Sequence, residues 1–100
     1  IDFQRLEVIA ASTDVPLALH GGTGLSDEIF RKCISLGCAK VNISTQLKHV
    51  FTDTFVDYHG GNPAEDNPLN TLEAQYQGLK NVFAGYLRLF GSEGKAARKG

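Results

Sequence analysis

The apolar run Val15-Pro16-Leu17-Ala18-Leu19 ends on His20, passes through Gly21-Gly22-Thr23-Gly24, and gives way at once to Leu25-Ser26-Asp27-Glu28. That order is strand, glycine turn, helix start, and it narrows the folds open to this chain more than any other stretch. A strand that is apolar on both faces belongs in a parallel sheet covered by helices. Glycines permit backbone conformations closed to other residues and let a ligand approach the chain. Successive N–H groups in such a turn can form a concavity for an anion, and the Thr23 hydroxyl can add a side-chain bond. His20, at the mouth of the strand, is placed to bind a metal or move a proton. Each part also has a plainer reading. A Gly-Gly pair by itself marks a turn, and a lone strand-end histidine is more often structural than a ligand. The rest of the chain has to decide between them.

Phe3, Leu6, Ile9 and Ala10 recur at helical spacing, which predicts a helix over residues 2–12. Residues 15–20 are the first predicted strand, with Pro16 tolerable near its beginning. Ser26 is a good N-cap for a second helix, with Asp27 and Glu28 favourable at the positive end of its dipole. Ile29, Phe30, Cys33, Ile34 and Leu36 are that helix's buried stripe, and Gly37 ends it. The second predicted strand, residues 39–44, alternates. Val41 and Ile43 face one way, Lys40, Asn42 and Ser44 the other. The matching parity of the first strand is Pro16, Ala18 and His20, so His20 and Asn42 are expected to look into one space. A third helix opens at Thr45-Gln46, with Leu47, Val50, Phe51, Phe55 and Tyr58 on its apolar face, and stops at His59-Gly60-Gly61-Asn62-Pro63. Asn67-Pro68 begins a last helix carrying Leu72, Tyr76, Leu79, Phe83, Tyr86 and Phe90 at a period of about 3.6. The glycine-rich, basic tail from Gly91 to Gly100 is expected to fray.

Helices alternating with strands predict parallel pairing through right-handed crossovers. Two parallel strands do not make an independently stable sheet. The 100 residues are about two-fifths of the roughly 250 that a (β/α)8 barrel needs. The expected fold is therefore α/β, the C-terminal portion of a TIM (β/α)8 barrel. Residues 1–100 are expected to be a C-terminal fragment of a single domain, lacking its N-terminal part. A chain without methionine that opens on Ile1-Asp2-Phe3, already in helical phase, agrees with that expectation.

The formal net charge of -1 and a pI near 6.3 make no electrostatic case for nucleic acid or a membrane surface. No apolar run is long enough to span a bilayer. Cys33 and Cys38 are too widely spaced for a Cys-x-x-Cys redox or zinc motif. Set among apolar residues, they read as buried free thiols in a reducing compartment, and a cytoplasmic location is expected.

Polar residues at two adjacent strand ends, each followed by a loop into a helix, stand where barrel enzymes bind phosphate, after the seventh and eighth strands. Here the sequence becomes specific. Pro16-Leu-Ala-Leu-His20-Gly-Gly-Thr-Gly24, Ile34-Ser-Leu-Gly37, Ala39-Lys-Val-Asn-Ile-Ser-Thr45 and the closing Arg88-Leu-Phe-Gly-Ser-Glu-Gly-Lys95 resemble the C-terminal part of the class II ketose-bisphosphate aldolases. The resemblance covers nearly the whole chain, and it implies a zinc-dependent lyase of carbohydrate metabolism. The reaction implied is aldol cleavage or condensation of a ketose 1,6-bisphosphate, giving dihydroxyacetone phosphate and an aldehyde phosphate. It further implies that His20 is one ligand of a catalytic Zn2+, a Lewis acid acting on the ketone. Gly21, Gly22 and Thr23 would hold the phosphate. Asn42, Ile43, Ser44 and Thr45 would form the second substrate loop, with the asparagine on the ketose oxygens. Thr23 stands where serine is common and keeps the hydroxyl, whereas Ser44 stands where some members have aspartate or alanine. The family's other zinc histidines and its acid/base aspartate would lie upstream of Ile1, so no catalytic acid/base residue is expected in this segment. His49 and His59 match no zinc motif and read as surface or capping residues. The expected partners are a small-molecule phosphosugar and further copies of the same chain in a dimer or tetramer, with no nucleic acid and no membrane.

Other functions compete with this one. A metal-free phosphate-binding barrel would show the same glycine loop. A Schiff-base aldolase would use Lys40, which lies on the inward parity, since lysine amines form imines with ketones. A His-Gly-Gly loop also serves as an oxyanion hole in esterases, but no Gly-x-Ser-x-Gly elbow is present. A module that only binds a partner is the plainest alternative. Zinc content separates the first from the aldolase, and borohydride trapping separates the second.

Overall fold

The structure, a computed structural model, describes residues 1–96. Four helices and two short strands follow one another as α1 (Phe3–Ser12), β1 (Leu17–Leu19), α2 (Asp27–Ser35), β2 (Cys38–Val41), α3 (Thr45–Gly61) and α4 (Pro68–Leu89). The predicted element order holds throughout. β1 and β2 pair in parallel, Leu17 with Cys38, Ala18 with Lys40 and Leu19 with Val41, and an irregularity between Leu17 and Ala18 shifts the register by one.

The helix boundaries follow local chemistry. Asp2 caps α1 by accepting from the Arg5 N–H at 2.9 Å. Ser26 caps α2 by accepting from Ile29 N–H at 3.3 Å. Asn67 caps α4 by accepting from Leu69 N–H at 3.0 Å, with Pro68 at the first helical position, where its missing N–H costs nothing. Gly37, at φ +122°, ends α2 in a conformation that other residues rarely adopt. Gly91 was expected to begin a frayed tail. Instead the Ser92 N–H donates to Leu87 O at 2.8 Å and the Gly91 N–H to Arg88 O at 3.2 Å, the paired bonds of a Schellman motif that closes α4. Residues 97–100 of that expected tail lie outside the described residues.

Both strands are shorter than predicted. Val15 is 68% exposed and Pro16 lies outside the ladder, so β1 covers 17–19 rather than 15–20. β2 begins one residue early, on buried Cys38, and ends at Val41 rather than at Ser44. Asn42, Ile43 and Ser44 therefore form the loop into α3. Only the Asn42 N–H still reaches the neighbouring strand, donating to Leu19 O at 2.8 Å.

The core lies between the sheet and α2, where Phe30, Cys33 and Cys38 are buried. Phe30 meets the Tyr86 and Phe90 rings edge-on, at centroid distances of 6.3 and 5.2 Å, which fixes the end of α4 against α2. On the other side, the Lys32 ammonium stands 4.4 Å over the Phe3 ring of α1. Both cysteines are free thiols, and burial, then the neighbouring Cys33, holds the Cys38 thiol above its ordinary range. α3 and α4 form an antiparallel hairpin. No helix among the described residues is long and apolar enough to cross a membrane.

The face on which α4 meets α3 differs from the predicted stripe. Leu72, Tyr76 and Phe83 are about half exposed, whereas Thr71 and Gln75 are buried. The Gln75 side-chain amide donates to Phe51 O at 2.9 Å, and Thr71 Oγ1 lies 2.9 Å from His59 Nε2. At Gly78 the two helices approach so closely that a methyl group would stand 2.8 Å from Thr54 Cγ2. Small and hydrogen-bonded residues bring the backbones together, and the aromatic residues are left at the hairpin's flank. His59 is accordingly an interhelical residue, not a surface or capping one, while His49 is exposed as expected.

Candidate active site

Parallel strands aim their C-terminal ends, and the loops that follow, at one side of the sheet. Here the loop after β1 and the loop after β2 enclose a cleft of about 460 Å³ lined by His20, Gly21, Gly22, Thr23, Asn42, Ser44 and Thr45. Of the residues that the resemblance implies for metal or substrate, all but one meet there. The exception is Ile43, whose side chain turns under the glycine loop: a methyl group on Gly22 would stand 2.7 Å from Ile43 Cδ1 and 3.0 Å from Phe30 Cε1.

The loop's three glycines answer different demands. Gly21 and Gly24 take φ of +66° and +87° with open space around them, so backbone conformation selects glycine at both. Gly22 has an ordinary φ and is buried, and the crowding by Phe30 and Ile43 selects glycine there.

His20 and Asn42, on the same parity of neighbouring strands, do face one space. The Asn42 side-chain amide lies 3.0 Å from His20 Nδ1 and 3.4 Å from Nε2. The contact orients the imidazole ring at the cleft's mouth. The polar Thr23 side chain makes a bond that the sequence did not signal. Its Oγ1 accepts the backbone N–H of Gln46, 23 residues away, at 3.0 Å. Gln46 is the second residue of α3, and Ser44, the residue at that helix's N-cap position, makes no side-chain cap bond of its own.

No lysine or arginine lines the cleft. An anion there would meet backbone N–H groups, hydroxyls and the positive end of the α3 dipole rather than a charged side chain. Lys40 is not among the residues lining this cleft; it lines a hollow with Ile34, Cys38 and Phe90.

The donor chemistry for a metal is partial. His20 offers one imidazole nitrogen at an open cleft, and no group of three His, Cys, Asp or Glu side chains lies together among the described residues. Catalytic zinc takes three protein ligands, so His20 could serve as one of such a set, and the described residues do not complete it.

Residues 1–95 match the family model described as class-II fructose-bisphosphate aldolase. Among solved structures, the crystal structure of the YdjI aldolase from Escherichia coli K12 is similar, with a TM-score of 0.84 and 31% sequence identity. The match covers 96% of this chain and 36% of that one, so the chain spans little more than a third of the length of that relative.

Proposed function

Because this chain belongs to the class-II fructose-bisphosphate aldolase family, we propose that it supplies one zinc ligand and both phosphate-facing loops to a (β/α)8 aldolase. The reaction would be cleavage or condensation of a ketose 1,6-bisphosphate to dihydroxyacetone phosphate and an aldehyde phosphate, in a homo-oligomer of the longer protein. One observation carries this reading: His20 and Asn42 lie within hydrogen-bond distance at the ends of two parallel strands, beside the glycine turn.

Each residue then has a task that its position permits. The N–H groups of Gly21, Gly22 and Thr23, with the hydroxyls of Ser44 and Thr45, would hold a phosphate at the start of α3, where the helix dipole favours negative charge. Asn42 would orient the His20 ring through its amide and offer the same amide to an oxygen of the ketose. Ile43 would hold the glycine loop from beneath rather than touch substrate. His20 would serve as one ligand of zinc, which when bound supplies Lewis-acid polarisation of the ketone. The proton-transfer residue and the remaining ligands would come from outside this segment.

The test is His20→Ala in the longer protein that carries this segment. Zinc content and aldol cleavage rate should fall together, and full activity with unchanged zinc would sink the assignment. The same zinc measurement on the unmutated protein addresses the metal-free alternative. The position of Lys40 in a separate hollow weighs against a Schiff base.

A further inference from the structure

A serine at an N-cap ordinarily turns its hydroxyl back to accept the N–H of the second or third helical residue. Ser44 stands at that position of α3, but its backbone (φ -134°, ψ -63°) carries the side chain elsewhere, and it makes no cap bond. Its place is taken by Thr23, which reaches across from the other loop to accept the Gln46 N–H. Ser44 instead lines the cleft. We propose that Thr23 is a positioning residue that caps α3 from the neighbouring loop and so leaves the Ser44 hydroxyl free to meet an anionic ligand.

The exchange rests on more than one bond. Leu19 O accepts from Asn42 N–H, the Asn42 amide meets His20, Gly22 packs on Ile43, and Thr23 accepts from Gln46. These contacts continue the β1–β2 pairing past the end of the ladder, step by step, until the two loops form one wall. Without the Thr23 oxygen, the Gln46 N–H, which has no intrahelical acceptor, would lose its protein partner. The usual acceptor for that N–H is the N-cap hydroxyl, so Ser44 would leave the cleft to provide it. The Thr23 hydroxyl keeps its own proton for donation, because accepting one bond does not remove it.

The proposal rests on the phosphate-site reading above, and it assigns two hydroxyls of that site different roles. Amide hydrogen exchange in the longer protein reads the cap directly, because the Gln46 N–H has no partner within the helix. Gln46 should exchange slowly in the native protein and in Thr23→Ser, and quickly in Thr23→Val. Ser44→Ala should leave Tm unchanged, unlike loss of an ordinary N-cap, while Thr23→Val lowers it. Calorimetric titration with inorganic phosphate should show binding weakened about tenfold in both Ser44→Ala and Thr23→Val, the scale of one lost hydrogen bond to a charged group. Thr23→Ser should restore it. Slow Gln46 exchange in Thr23→Val, or a fall in Tm on Ser44→Ala, would overturn the assignment. If Thr23→Val does not fold, the Ser44→Ala melt still decides. Absence of zinc and of aldol cleavage in the native protein would bear on the aldolase reading alone, since neither the exchange rates nor the melts depend on it.

Discussion

At Gly22 a methyl group would meet Ile43 Cδ1, which can turn aside, and the Phe30 ring, which Tyr86 and Phe90 hold in place. Gly22→Ala should therefore destabilise the fold by about 1–3 kcal/mol, the usual cost of overpacking, as read from denaturant unfolding. At Gly21 the space is open and only the backbone objects, so Gly21→Ala should cost about 1–2 kcal/mol and Gly21→Asn less. The sequence announces a glycine turn, but it does not reveal which glycine answers to φ and which to packing. The meeting of His20 with Asn42 was legible, because strand parity is a local property of two short stretches. The bond from Thr23 to Gln46 was not, because it joins residues 23 apart through a hydroxyl that every local signal aimed at a ligand.

The α3–α4 hairpin shows the same division at the next scale. Helical periodicity locates both helices, and Asn67-Pro68 marks the start of α4 to the residue. The period does not say which stripe faces the partner when two stripes are available, and close approach at Gly78 selected the smaller, hydrogen-bonded one. The loop joining the helices is held by the Tyr58 hydroxyl donating to Glu65. That bond, then those from Asn70 and the Asn67 N–H, lowers the Glu65 carboxyl below the ordinary carboxylate range, while the same bond raises the Tyr58 phenol. The sign of the effect on folding follows. A carboxyl that titrates lower when folded contributes its full stabilisation above its unfolded value and loses it as pH falls through the lowered one. Tyr58→Phe should bring the Glu65 titration back toward the ordinary range, measured by NMR, and should flatten the acid limb of stability against pH. An unmoved Glu65 titration would mean that the bonds from Asn70 and the Asn67 N–H hold the carboxylate without it.

Over the whole molecule the radius of gyration is 17.6 Å, against about 13 Å for a compact domain of 100 residues. Phe51, Phe55, Tyr76 and Phe83 stay about half exposed along the hairpin, and each strand of the two-stranded sheet has one edge without a partner. Open edges and apolar patches favour association. The 100 residues expressed alone should therefore sediment as oligomers or aggregates and melt without a sharp transition, and a cooperative monomer would refute this. The element order was legible from periodicity, whereas the faces left uncovered depend on contacts that no local pattern encodes. The two buried thiols have a practical consequence. Cys33 is wholly enclosed and Cys38 nearly so, and both lie where α2 meets the sheet. Enclosed thiols react only when the structure around them opens. Alkylation by iodoacetamide would thus act as a clock set in one half of the molecule. Its rate should track the breathing of the sheet that carries the two loops, together with release of the end of α4 that packs on Phe30.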